Sequence, residues 1–266
     1  MKQSNILKSL FAFVAIVCFL SSCKWGKERP APRGKNIICV VDFSDSKNAA
    51  ERLKFYRTVI KDNIIPNLGL HDKITVIPID KASITNSSDI LLKDLSAINF
   101  EPEQSSPMEE EQITLGNLKK YKDTLITSFA QSFQTAIDNR NKSQHGTDIF
   151  GALEVVKGKL KANDDNYVIM LSDMMNWSNT LNMEPGNNAF NNSTMDDILT
   201  KVPNFEMPKI TALVLTAEQI EVSPEHFKLV QSFWTAYFVK NQIKLFDYNS
   251  ASVSKLNELM ALPVVE

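Results

Sequence analysis

Ile37-Ile38-Cys39-Val40-Val41-Asp42-Phe43-Ser44-Asp45-Ser46 is the stretch on which the reading of this chain turns. Its first five residues form an unbroken apolar run, the pattern of a strand covered on both faces within a parallel sheet. The run then stops on a carboxylate and two hydroxyls at alternate positions: Asp42, Ser44 and Ser46. Alternate side chains of an extended segment leave on one side, so these three oxygens can converge. On the C-terminal side, Lys47–Leu68 carries Ala49, Leu53, Tyr56, Ile60 and Ile64 at helical spacing, with Pro66 marking its end.

The rest of the chain repeats this alternation. Lys73–Ile79 (KITVIPI), Tyr167–Leu171 (YVIML), Ile210–Leu215 (ITALVL) and Ile243–Tyr248 (IKLFDY) read as strands. Asn117–Ile137, Ile149–Leu160, Pro224–Asn241 and a terminal segment from Ser252 to about Ala261 read as helices. Asp89–Phe100 fits a short strand or a helix, Glu101–Glu111 (EPEQSSPMEEE) reads as a surface loop, and Met174–Phe205 as a long polar loop. Strands alternating with helices predict one α/β domain over residues 36–266, a doubly wound, mostly parallel Rossmann-like sheet flanked by helices. Such sheets bind ligands beyond the carboxyl ends of their strands, where the strand order reverses.

Three places put oxygens at that end of the sheet. Besides Asp42-Phe43-Ser44-Asp45-Ser46 there are His145-Gly146-Thr147-Asp148 before the Ile149 helix and Ser172-Asp173 after YVIML. Capping is the plain alternative: Ser44, Asp45 or Ser46 suits the start of the Lys47 helix, and Thr147 or Asp148 that of the Ile149 helix. Asp173 suits a turn. A cap uses one residue per helix and leaves Asp42 unexplained. Two carboxylates and three hydroxyls are hard ligands, which disfavours zinc or copper and suits Mg²⁺, with Mn²⁺ as a substitute.

Together the three pieces resemble the metal-ion-dependent adhesion site of von Willebrand factor A domains. The correspondence is a D-x-S-x-S after the first strand, a Gly-Thr before a helix carrying Ala152-Leu153, and an Asp after an apolar strand, across roughly residues 36–250. The resemblance implies that Ser44, Ser46 and Thr147 ligate the ion directly. It also implies that Asp42 and Asp173 hold bound waters, and that a protein partner supplies an acidic residue as the last ligand. The function implied is binding, without turnover. Two departures stand out: Met174 replaces the usual glycine after Asp173, and the region between Asp80 and Lys120 is longer and more polar than in that pattern. Met174, Met175 and Trp177, with Met183 and Phe190, are expected as an apolar rim to the ion or as packing for the loop.

The N-terminal residues indicate a location. Lys2 and Lys8 precede the apolar run Leu10–Leu20, shorter than the about 20 residues of a spanning helix but suited to a signal peptide over residues 1–22. Leu20-Ser21-Ser22-Cys23 resembles the lipobox of bacterial lipoproteins, which implies lipidation of Cys23 and a membrane anchor. Residues 23–35 would form a basic tether, and Lys24 after the acylated cysteine favours the outer membrane of the envelope. Without Lys2 and Lys8 the 29 basic residues fall to 27 against 31 acidic, which argues against nucleic acid as a partner. Cys39 remains as a small buried hydrophobe, so the domain is held by its core. Two rival functions follow from the same residues. A Mg²⁺-dependent phosphatase of the haloacid dehalogenase kind needs a second Asp two residues after the first, where this chain has Ser44. A metal-free envelope scaffold would keep the fold alone.

Overall fold

The computed structural model describes residues 33–44, 48–81, 83–84, 88–102, 106–139, 146–207, 209–217, 222–250 and 252–263. Cys23, with the signal-peptide and most of the tether segments, lies outside the described residues, as do Ser46 and His145. No described helix is long and apolar enough to cross a membrane.

The chain from Arg33 onward is one compact unit. It begins with β1 (Lys35–Asp42), whose eight residues are all buried. Helix α1 (Ala49–Thr58) follows and widens into a π-helical stretch, Val59–Ile64, then a 3₁₀ turn, Ile65–Asn67. Next come β2 (Lys73–Ile79), β3 (Leu91–Asp94), α2 (Pro107–Asn139), α3 (Ile149–Lys159) and β4 (Asp165–Leu171). The chain finishes through α4 (Met195–Lys201), β5 (Ile210–Thr216), α5 (Pro224–Lys240), β6 (Lys244–Ser250) and α6 (Ser254–Met260).

These strands form one six-stranded sheet in the order β3-β2-β1-β4-β5-β6. Every pairing is parallel except that of β3, which runs antiparallel to β2 at the edge. The fold is thus the expected mixed α/β architecture. Successive side chains of β1 leave on opposite faces. Ile37, Cys39 and Val41 join a core with Leu53 and Tyr56 of α1, Phe129 and Phe133 of α2, and Leu256 of α6. Ile38 and Val40 join the other core, with Ile149 and Leu153 of α3 and Phe233 and Trp234 of α5. Covering on both faces explains why β1 is apolar without alternation. Cys39 is fully buried and burial raises its thiol pKa, in keeping with its reading as a packed hydrophobe.

One open assignment is settled and two elements differ from expectation. Asp89–Phe100 resolves as the short strand β3 and a 3₁₀ turn, Leu95–Ala97. Helix α2 starts at Pro107, inside the segment read as a loop: Pro at a first helical position costs no hydrogen bond, and Glu109 and Glu110 suit the positive end of the dipole. The Asn-rich segment after β4 is pinned by its own side chains and contains α4. Its Asn191 carboxamide oxygen accepts the Ser193 backbone N–H at 2.8 Å, and Thr194 Oγ1 donates to the Ala189 carbonyl at 2.8 Å.

Candidate functional site

β1 and β4 are neighbours, and the strand order turns between them. Asp42, the last residue of β1, therefore lies beside Ser172-Asp173, the residues just past β4. Asp42 is fully buried, and both of its carboxylate oxygens accept hydrogen bonds. Oδ1 accepts the Ser44 backbone N–H at 2.8 Å, and Oδ2 accepts the Ser172 hydroxyl at 3.0 Å. The Ser172 hydroxyl in turn accepts the Met174 N–H at 2.9 Å. Asp173, whose side chain is 28% exposed, accepts the Met175 N–H on Oδ1 at 2.9 Å.

Between the two carboxylates stands Arg52, from the first turns of α1. Its Nη2 is 3.9 Å from Asp42 Oδ1, and its Nη1 is 3.8 Å from Asp173 Oδ2. The same Nη2 donates to the Ser44 carbonyl at 2.7 Å and to Ser44 Oγ at 3.2 Å. Arg52 is nearly as buried as Asp42. Two tyrosines close the surroundings. Tyr56, one turn beyond Arg52, is fully buried, and its phenol pKa is raised by burial first and then by Asp42 and Asp173, with Arg52 opposing. Tyr248 lies 3.5 Å by its hydroxyl from the Asp173 carbonyl, and burial with the Asp173 charge raises its pKa as well.

Thr147 reaches this end of the sheet by another route. It exchanges two backbone hydrogen bonds with Trp177, each 2.9 Å, in a short antiparallel bridge. Gly146, at φ +138°, precedes it, and a Cβ there would come within 3.1 Å of the Trp177 carbonyl, so the position requires glycine. Asp148 is the N-cap of α3 and accepts the Gly151 N–H at 3.0 Å. Its carboxyl pKa is raised by burial, with the Gly151 hydrogen bond opposing and Asp80 adding to the rise.

The structure thus brings Asp42, Ser44 and Asp173 around one guanidinium, and ties Thr147 to Trp177 in the segment that follows Asp173. The apolar residues expected as rim or as packing divide between the two. Met174, Met183 and Phe190 are core residues, and Met175 is half-buried against that core. Trp177, 39% exposed, is the rim residue that faces solvent. Met174 has φ +63°, a left-handed backbone that explains why glycine suits this position elsewhere. Here its buried side chain and the 2.7 Å bond from Trp234 Nε1 to its carbonyl hold the conformation.

Arg52 decides whether the oxygens suit a divalent ion. Two unit charges about 4 Å apart interact by about 4 kcal/mol near a protein surface, so the repulsion of about 8 kcal/mol between a divalent ion and this guanidinium cancels the attraction of one of the two carboxylates. Ser44 Oγ, a ligand in the metal reading, accepts a hydrogen bond from Arg52. With Arg52 in place, Asp42, Ser44 and Asp173 already face one cation and do not fit a second, divalent one beside it.

No family model matches the chain, and no curated protein matches it. Solved structures do. Proximal thread matrix protein 1 from the mussel byssus is 12% identical at a TM-score of 0.40, over 86% of this chain and 47% of that one. A von Willebrand factor type A protein from Catenulispora acidiphila is 9% identical at 0.37, over 86% of this chain and 41% of that one. The N-terminal domain of TFIIH p34 is 8% identical at 0.34, over 87% of this chain and 97% of that one. The chain spans less than half the length of the first two.

Proposed function

We propose that this chain is a von Willebrand factor A-like binding domain, anchored in a bacterial envelope through a lipid on Cys23, that takes a protein partner at the C-terminal edge of its sheet. The observation that supports the reading is the convergence of Asp42, Ser44, Asp173 and Arg52 at the point where strand order turns, with the exposed Trp177 in the segment that follows Asp173. That edge is where doubly wound sheets receive ligands. A part-exposed tryptophan in such a segment is of the residue type enriched among interface anchors. Partner binding is assigned to Trp177 and to the solvent-facing part of Asp173. Asp42 and Arg52 hold the edge in shape from beneath.

A photo-crosslinking amino acid at position 177 of the full chain, in cells, tests this. The expected result is a crosslinked adduct in the membrane fraction that becomes soluble with Cys23→Ser. The same amino acid at exposed Lys209, at the opposite end of the sheet, should give none. Absence of an adduct at 177, or equal adducts at 177 and 209, would remove the binding reading.

A further inference from the structure

We infer that Arg52 is the resident cation of this site: its guanidinium stands between Asp42 and Asp173, where the ligand spacing implies a divalent ion, and holds the two strand ends together without metal. The inference rests on side-chain geometry and not on partner binding, so a failed crosslink leaves it standing.

Three observations carry it. First, each terminal nitrogen of Arg52 faces a different carboxylate, Nη2 toward Asp42 and Nη1 toward Asp173. A planar guanidinium presents its donors on separate prongs in fixed directions, which suits two anions on different sides of it. Second, Nη2 also bonds Ser44 through its carbonyl and its hydroxyl, so the turn after β1 closes on the arginine. Third, the base of the side chain is fixed. Arg52 lies three residues after Ala49 and four before Tyr56, on the buried face of α1 with Leu53, and all three of these neighbours are in the core. An arginine cannot escape by losing its proton. A metal ion could enter only by driving a charged, nearly buried side chain out from under α1.

The test uses the purified full chain in thermal melts and calorimetry with EDTA, Mg²⁺ or Mn²⁺. Wild type is expected to melt alike in all three and to give no heat of metal binding. Arg52→Gln leaves two facing carboxylates without a cation, and its Tm is expected to fall on the order of 10 °C. Millimolar Mn²⁺ should recover part of that fall in Arg52→Gln alone, because the freed oxygens then bind it in the folded state. Should Arg52→Gln not fold, Arg52→Lys keeps the positive charge and is expected to stay insensitive to metal. Stabilisation of wild type by Mg²⁺ or Mn²⁺ would overturn the inference. So would an Arg52→Gln protein that melts like wild type, or a Lys variant that responds to metal.

Discussion

Asp42, Ser44 and Asp173 were legible as a cluster because acidic and hydroxyl side chains ending two apolar strands stand out against the runs before them. Arg52 was not, because an arginine near the start of an amphipathic helix is ordinarily exposed. A signal existed: Ala49, Leu53 and Tyr56 define the buried face of α1, and position 52 falls on it. Met174 shows the reverse case. Its place after Asp173, where glycine is usual, marked a departure, but only the φ of +63° reveals that the backbone kept the glycine conformation. Met174→Ala removes a fully buried side chain and keeps a Cβ in the left-handed region, so a loss of about 3 kcal/mol is expected. Met174→Gly creates the same cavity and relieves the backbone by about 1 kcal/mol. The glycine variant should therefore be the more stable of the two in urea unfolding, and an alanine variant of equal or greater stability would remove the strain argument.

Strands β1, β2, β4 and β5 announced themselves because both faces are covered and alternation is lost. The edge strand β3 did not, since Leu92 and Lys93 face solvent and only four residues pair. The polar segment after β4 was legible as irregular structure and opaque in its purpose, because composition does not tell which asparagines are buried. Asn176 is fully buried. Its carboxamide oxygen accepts the Ile149 N–H at the start of α3 at 2.9 Å, and its Nδ2 donates to the Leu181 carbonyl at 2.5 Å. Asn241 does the same at the other end of the segment, accepting the Phe205 N–H at 2.6 Å and donating to the Tyr237 carbonyl at 2.8 Å. Replacing Asn176 by Ala strands a buried donor and acceptor, at a cost of about 2–3 kcal/mol. Amide exchange is expected to quicken in residues 174–183 and in the first turn of α3, with α5 unchanged. Uniform quickening across the chain would mean that Asn176 supports the core and not the segment.

The five tyrosines, spread over both cores, give the fold a common response to alkali. Tyr56, Tyr121, Tyr167, Tyr237 and Tyr248 all have raised pKa values with burial as the first cause. A phenol with a raised folded-state pKa keeps its proton in the folded chain after the unfolded chain has released it. Its stabilising contribution is complete below about pH 10 and declines as pH rises above that value. Tyrosinate absorbance is expected to lag a free phenol and then rise together with loss of helical circular dichroism. A titration centred near pH 10 with the helices intact would contradict this burial. Order of assembly follows from the bond between Ser172 and Asp42, whose partners are 130 residues apart in the chain. β1 and β2 can pair early, but β1 has no β4 beside it until most of the polypeptide has been made. Contacts of such long sequence separation form slowly. The edge that carries Asp42, Arg52 and Asp173 is therefore among the last parts to mature, and an incompletely folded chain has no finished site to present.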